Sequence, residues 1–457
     1  MLPMNSSVLS DLAAVGSPGK LLARAGRISL LLGALCAAPP LLAADLLQVY
    51  RDAVAYDAQY AAARATAEAG REKLPQGLAG LLPVVAASAS TTWNQNTYNS
   101  IDRNFNSNGY GVSLTQPLFR WQNFVQYGQA QYQVAQSEAN FAQARQDLIV
   151  RVAQAYFDVL YAQENLTAVR ANKSAIAQQL EQAKKNFEVG TATITDSHEA
   201  QSRYDLATAQ EIAADNDLEV KRQVLRVIIG KDAGELNRLR ADATLAPPQP
   251  AALDKWVDAA EKDSFTVQAQ QAAAEVAARE VERNRAGHLP TLDAVANYTE
   301  NRAGATQFND ARFESTARGV GLQLNIPLFQ GGYVNSKTRE AAANREAAFA
   351  ALDGARRNAA LSARQSYLGV VNGIAQVRAL EAALVSSNSA LESNKLGYEV
   401  GVRINIDVLN AEQQVYSTRR DLARARFDTL LAQLRLKAAV GTLAEEDLQQ
   451  INGMFER

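Results

Sequence analysis

Four stretches of the chain alternate in polarity with period two. Tyr110, Val112 and Leu114 alternate with Gly109, Gly111, Ser113 and Thr115, and Val320, Leu322, Leu324 and Ile326 with Gly319, Gly321, Gln323 and Asn325. Each is preceded by a weaker run: Val85, Ala87, Ala89, Thr91 and Trp93 in one case, and Leu292, Ala294, Ala296 and Tyr298 in the other. One apolar face over about ten residues is the pattern of a membrane β-strand, although a soluble hairpin packed on helices shows it too. Strands are expected at about 84–100, 109–119, 291–301 and 317–329. The polar stretches NTYNSIDRNFNSN and NRAGATQFNDARFESTA are then the hairpin tips.

After each strand pair the period changes. Trp121 to Glu188 and Gly332 to Glu399 hold almost no proline and are rich in Ala, Gln, Glu and Arg, all good helix formers. At 1.5 Å per residue each helix would run about 100 Å, too long for a compact domain and suited to extended coiled packing. Both end in a glycine interruption, FEVGTATITD from Phe187 and YEVGVRINID from Tyr398. Glycine is a natural helix stop, and Thr193, Thr195 or Asp196 in the first case, and Asn405 or Asp407 in the second, could cap the following helix.

The resemblance between these stretches is a duplication. Gly190 matches Gly401, Asp196 matches Asp407, Tyr156 matches Tyr367 and Gly230 matches Gly441, all at an offset of 211 residues. LTQPLF and LNIPLF match at 210 and Pro83 and Pro290 at 207, so the second copy carries three extra residues between its LP and PLF, as a surface loop tolerates. The two repeats are expected at 45–242 and 254–457, joined by the proline-rich linker 243–253, which cannot be continuous helix.

Composition changes this picture at the N-terminus. Lys20, Arg24 and Arg27 precede ISLLLGALCAAPPLLAA, the order of a secretory signal peptide, expected over residues 1–44. The one cysteine, Cys36, lies within it behind Leu35, which argues against a lipid anchor, and the mature chain is left without thiols. The formal charge of −2 becomes −4 without Lys20, Arg24, Arg27 and Asp11, which offers no basic surface for nucleic acid. His198 and His288 are too isolated to suggest a metal site, no cofactor motif is present, and no group of residues suggests an enzyme. No later run of 18 or more residues is uniformly apolar, so any membrane crossing is by strands. Four strands cannot close a barrel, whose minimum is about eight, so several chains must share one.

In their order, duplication and spacing, HLPTLD, LTQPLF, LNIPLFQGG, FEVGTATITD, YEVGVRINIDVL and AVGTLAEEDL resemble the TolC-like outer-membrane channel proteins of Gram-negative bacteria, over essentially the whole mature chain. The resemblance implies a mainly α fold with a β-barrel part: a homotrimer sharing a twelve-stranded barrel, continued by a helical tunnel through the periplasm. Residues 231–252 and the C-terminal stretch would lie at the tunnel's equator. The implied function is a gated exit duct for type I protein secretion, multidrug efflux or both. Its partners would be a periplasmic adaptor, an inner-membrane ABC or proton-driven exporter, and outer-membrane lipid. A periplasmic coiled-coil scaffold is the alternative.

The same resemblance gives the glycine interruptions a role as the periplasmic tip. Tyr398 would hydrogen-bond Asp196, and Arg403 would pair with Thr195 and Asp196, in part across subunits, forming a gate. Asp407 would face the pore constriction. The family's second acidic position is Asn410 here, which puts the double-ring site for multivalent cations in doubt. Val189 with Gly190 and Val400 with Gly401 would meet the adaptor.

Overall fold

The computed structural model describes residues 44–240, 243–304 and 311–456. The expected signal peptide, apart from Ala44, lies outside the described residues, as does part of the second hairpin tip. The described residues open with α1 (Leu46–Tyr56), α2 (Ala58–Arg71) and α3 (Lys73–Ala79), then β1 (Val84–Tyr98) and β2 (Ile101–Phe119), α4 (Trp121–Glu188) and α5 (Ile194–Ile229). The second half repeats this order with α6 (Leu253–Asp263), α7 (Phe265–Arg285), β3 (Thr291–Ala303), β4 (Phe313–Asn325), α8 (Tyr333–Glu399) and α9 (Asn405–Ala439). A short α10 (Glu445–Asn452) follows.

The strands form one antiparallel meander in the order β1-β2-β3-β4, with the seam between repeats at β2–β3. Rows across the sheet bring residues of the same face into register. Val85, Leu114, Ala296 and Val320 are register partners, as are Ala87, Val112, Tyr298 and Arg318. The opposite face carries Ser88, Gly111, Thr299 and Ala317, then Ser90, Gly109, Asn301 and Ser315.

The first hairpin differs from expectation. β2 begins at Ile101 rather than near 109, and only Asn99 and Ser100, at φ +48° and +67°, form the turn. Two residues with positive φ make a tight hairpin whose twist matches its strands, and asparagine tolerates that conformation. The polar stretch expected as a tip is instead paired strand, tied by Thr91 to Asn108 at 2.7 Å and Asn94 to Ser107 at 2.9 Å. The second connection runs from Ala303 to Phe313, so the extra length of the second copy is taken up there. β4 stops at Asn325 rather than near 329, because Pro327 has no N–H for a ladder.

α4 and α8 are continuous over 68 and 67 residues. α4 packs on α5, α7 and α9, and α8 on α9, α7 and α6. The main core lies midway along α4, where Leu148, Ile149, Val152, Tyr156, Phe157 and Leu160 meet Leu46, Val49, Leu225, Phe427, Leu430 and Leu448. There Ala44 bridges Leu236 and Leu239 bridges Phe455, bringing the segment after α5 and the C-terminal end against α1 and α4. The repeat landmarks Tyr156 and Tyr367 have matching jobs. Tyr156, fully buried, donates to the carbonyls of Ala44 and Asn237, and Tyr367 donates to that of Ala251.

α8 buries Val334, Ala341, Leu352, Ala359, Ala363, Val370, Ile374 and Val377, a stripe at steps of 3, 4, 7 and 11 residues, as a coiled seam requires. Elsewhere on α8, Phe349, Leu361, Leu368, Val371 and Val385 are exposed. One 18-residue stretch of α8 is apolar enough to pass as a membrane span by composition, yet only 11% of it is buried, a feature the sequence reading passed over.

Candidate functional site

The two glycine interruptions fold alike. Gly190 and Gly401 have φ of +76° and +80°, the left-handed conformation that glycine adopts without a Cβ penalty. Thr191 and Ala192 N–H groups donate to the Asn186 carbonyl at 2.8 and 3.2 Å, and Val402 and Arg403 donate to Gly397 at 2.9 and 3.0 Å. Asn186 and Gly397 are themselves 211 positions apart, so the duplication extends to the hydrogen bonds of the turn.

Around these turns Val189, Ile194, Val400, Val402 and Ile404 are exposed. Asp196 accepts from the backbone N–H of Thr193 at 3.0 Å and from its hydroxyl at 2.8 Å, a capping box at the start of α5. The Thr195 hydroxyl shares a hydrogen bond with that of Thr193. Asp407 lies in the first turn of α9 and is one-third exposed, with Arg403 Nη1 at 3.7 Å.

Within the chain, the expected bonds from Tyr398 and Arg403 to Asp196 are not formed. Asp196 is taken by the cap, whose partner is three residues away and costs little chain entropy to reach. Tyr398 instead accepts from Asn186 Nδ2 at 3.1 Å, and Arg403 turns to Asp407. Arg203 on α5 donates to Asn410 on α9 at 3.3 Å. Leu409 is buried among Ile176, Leu180, Ala183, Ala200 and Ala207, which packs the start of α9 on the first hairpin.

Asn186 and Arg203 were missed by sequence reasoning. They occupy ordinary polar positions on helices, and only the pairing of the hairpins reveals them. Asn405 was named only as a cap, yet it is buried with both amide atoms unpartnered, as is the Ser197 hydroxyl. Higher on the first hairpin, Lys173 and then Arg170 hold the Glu211 carboxyl below its ordinary range, bonding it at 2.9 and 3.0 Å. No group of three or more His, Cys, Asp or Glu side chains suited to a metal occurs among the described residues.

The family model for outer membrane efflux proteins matches residues 49–231 and 256–442, two segments that begin 207 positions apart and end 211 apart. The chain belongs to the outer membrane efflux protein family. Its membership makes it an outer-membrane duct for export, in a family of transport proteins. TolC of Vibrio cholerae is 32% identical over 418 residues, covering 90% of this chain and 93% of that protein. The alkaline protease secretion protein AprF of Pseudomonas aeruginosa is 33% identical, covering 90% and 88%. The proteases secretion protein PrtF of Dickeya chrysanthemi is 32% identical, covering 91% and 92%. In fold the efflux protein is similar to the outer membrane protein VceC of Vibrio cholerae, with a TM-score of 0.75 at 19% identity, covering 87% of this chain and 96% of that one.

Proposed function

We propose that this efflux protein works as a homotrimer, as a gated channel-tunnel for type I protein secretion. The observation that carries the assembly is the open sheet: among the described residues β1 and β4 have no outer neighbours, and one face of the sheet is mainly apolar. In lipid such edges leave backbone groups unpaired, which closure removes. Three copies supply twelve strands, within the known range of membrane barrels. The exposed apolar residues of α8 support the same assembly, since neighbouring helices in a tunnel would cover them.

α4 and α8, at about 100 Å each, reach through the periplasm toward an inner-membrane exporter. The exposed apolar residues at the two glycine turns suit contact with a periplasmic adaptor. Type I secretion is favoured over drug efflux by the named roles of AprF and PrtF in protease secretion. The gate is placed at the same tips. Asn186–Tyr398 and Arg203–Asn410 join the hairpins within a chain, and in this reading Arg403 and Asp196 would leave their local partners to bond between chains.

Expression beside an ABC exporter and adaptor of the protease-secreting type tests the reading. Export of the protease and single-channel conductance in planar bilayers are expected. A water-soluble rod without conductance would instead favour a periplasmic scaffold.

A further inference from the structure

The outward face of the sheet carries a groove with a chemistry beyond that of a membrane wall. Val112, Leu114, Ala296 and Val320 line a shallow, open depression of about 400 Å³, together with Tyr298 and Arg318 in the row of Val112. The register places Tyr298 and Arg318 side by side on β3 and β4, and the guanidinium carbon lies 5.4 Å from the ring centroid of Tyr298. Val320 is 91% exposed in the single chain.

The depth of this groove follows from the strand. Phe119, at the lower end of β2, is nine residues from Tyr110, whose cross-strand partner is Glu300, in the row above Tyr298 and Arg318. At about 3.3 Å per residue and a tilt of about 40°, nine residues rise about 23 Å, close to the height of the apolar band of an outer-membrane barrel. Above Tyr110, the same face of β2 carries Asn108, Asn106 and Asn104. In the proposed barrel this puts Tyr298 and Arg318 at the upper membrane interface, with the groove beneath them facing acyl chains.

Among the described residues, the charges at this level leave one cation over. Glu300 is bonded by Tyr110, by Tyr298 at 3.3 Å and by Arg302 at 2.8 Å, while Glu314 lies 3.7 Å from Arg302 and 3.5 Å from Arg312. These two carboxylates and two guanidinium groups balance. Arg318 has no carboxylate within salt-bridge distance among the described residues; its contact is the Tyr298 ring, which leaves its N–H donors free for an anion.

We propose that this groove holds an outer-leaflet phospholipid of net negative charge, whose phosphate is not neutralised by a headgroup cation of its own, with that phosphate on Arg318 and one acyl chain between β2, β3 and β4. A planar guanidinium held flat on an aromatic ring is preorganised for phosphate oxygens, and apolar contact below it suits a chain. The inference rests on the barrel orientation.

The test is native mass spectrometry of the full-length protein in detergent, exposed to equal amounts of phosphatidylglycerol and phosphatidylcholine with matched acyl chains. Retention of phosphatidylglycerol several-fold over phosphatidylcholine is expected. Arg318→Gln should abolish that preference and Arg318→Lys should keep part of it, while Val320→Asn should lower retention of both lipids. Equal retention of the two lipids by the unaltered protein, or a preference that survives Arg318→Gln, would overturn the proposal. Displacement of phosphatidylglycerol by inorganic phosphate alone would overturn the lipid assignment in favour of a simple anion site. A Val320→Cys variant that reacts in vesicles with a water-soluble maleimide would refute the barrel orientation itself, a failure separate from that of the lipid site.

Discussion

Asn186 Nδ2 donates to the Tyr398 hydroxyl at 3.1 Å, joining the last turns of α4 and α8 at one end of the molecule. Opening a tunnel at that end requires the hairpins to part. A neutral hydrogen bond contributes about 0.5–1.5 kcal/mol and one with a charged partner about 1.5–3, and a trimer repeats each three times. Asn186→Ala and Tyr398→Phe should each raise single-channel conductance modestly, and adding Arg403→Ser to Tyr398→Phe should raise it further. Unchanged conductance in the combined variant would remove Tyr398 and Arg403 from the gate.

Asp407 and Asn410 are one helical turn apart at the start of α9, and Asn410 accepts from Arg203. A ring of carboxylates at a constriction favours cations. Asp407→Asn should therefore move the reversal potential in a salt gradient toward non-selectivity. Asn410→Asp would add a second ring, and half-block by a trivalent cation should need at least tenfold less of it. Equal block before and after Asn410→Asp would show that position 410 does not face the ion path.

Much of this architecture was legible because the chain states it twice. Helix termini at Glu188 and Glu399, both glycine stops and the starts of β1 and β3 follow from periodicity and the shared offset. What escaped was the partner of each polar side chain. Within one chain Asp196 does not meet Tyr398, because a carboxylate three residues from a threonine at a helix start has a local use that needs no second hairpin. The extent of β2 escaped for another reason: above the membrane neither face of a strand need be apolar, so alternation vanishes while the backbone ladder continues.

Asp57 caps α2 and receives both Nη1 and Nη2 of Arg151, at 3.0 and 2.9 Å. Burial alone would raise its carboxyl, but the Arg151 guanidinium and the Tyr60 N–H outweigh it and hold the group below the ordinary carboxylate value of 3.8. A lowered folded value adds stability above the unfolded pKa, and that stability is lost as pH falls through the folded value. Asp57→Asn should lower the melting temperature near neutral pH and flatten its decline below about pH 4. Parallel curves for both proteins in acid would mean that Asp57 titrates normally.

Arg120 and Asp293 form another bidentate pair, Nε to Oδ1 at 2.7 Å and Nη2 to Oδ2 at 2.6 Å, where β2 of the first repeat meets β3 of the second. The duplication does not repeat it. Gln330 stands where a second Arg120 would be, and Ala86 where a second Asp293 would be, so a seam between β4 and β1 of neighbouring chains would lack this pair. Asp293 is only 7% exposed. Removing its partner strands a nearly buried carboxylate, a change that typically costs about 3–5 kcal/mol, and the 39% exposure of Arg120 places the cost at the lower end. Arg120→Ala should thus melt well below the unaltered protein in detergent, while Arg120→Met combined with Asp293→Leu should recover most of the loss. A single variant as stable as the double would mean that the pair orients the β2–α4 junction without stabilising it.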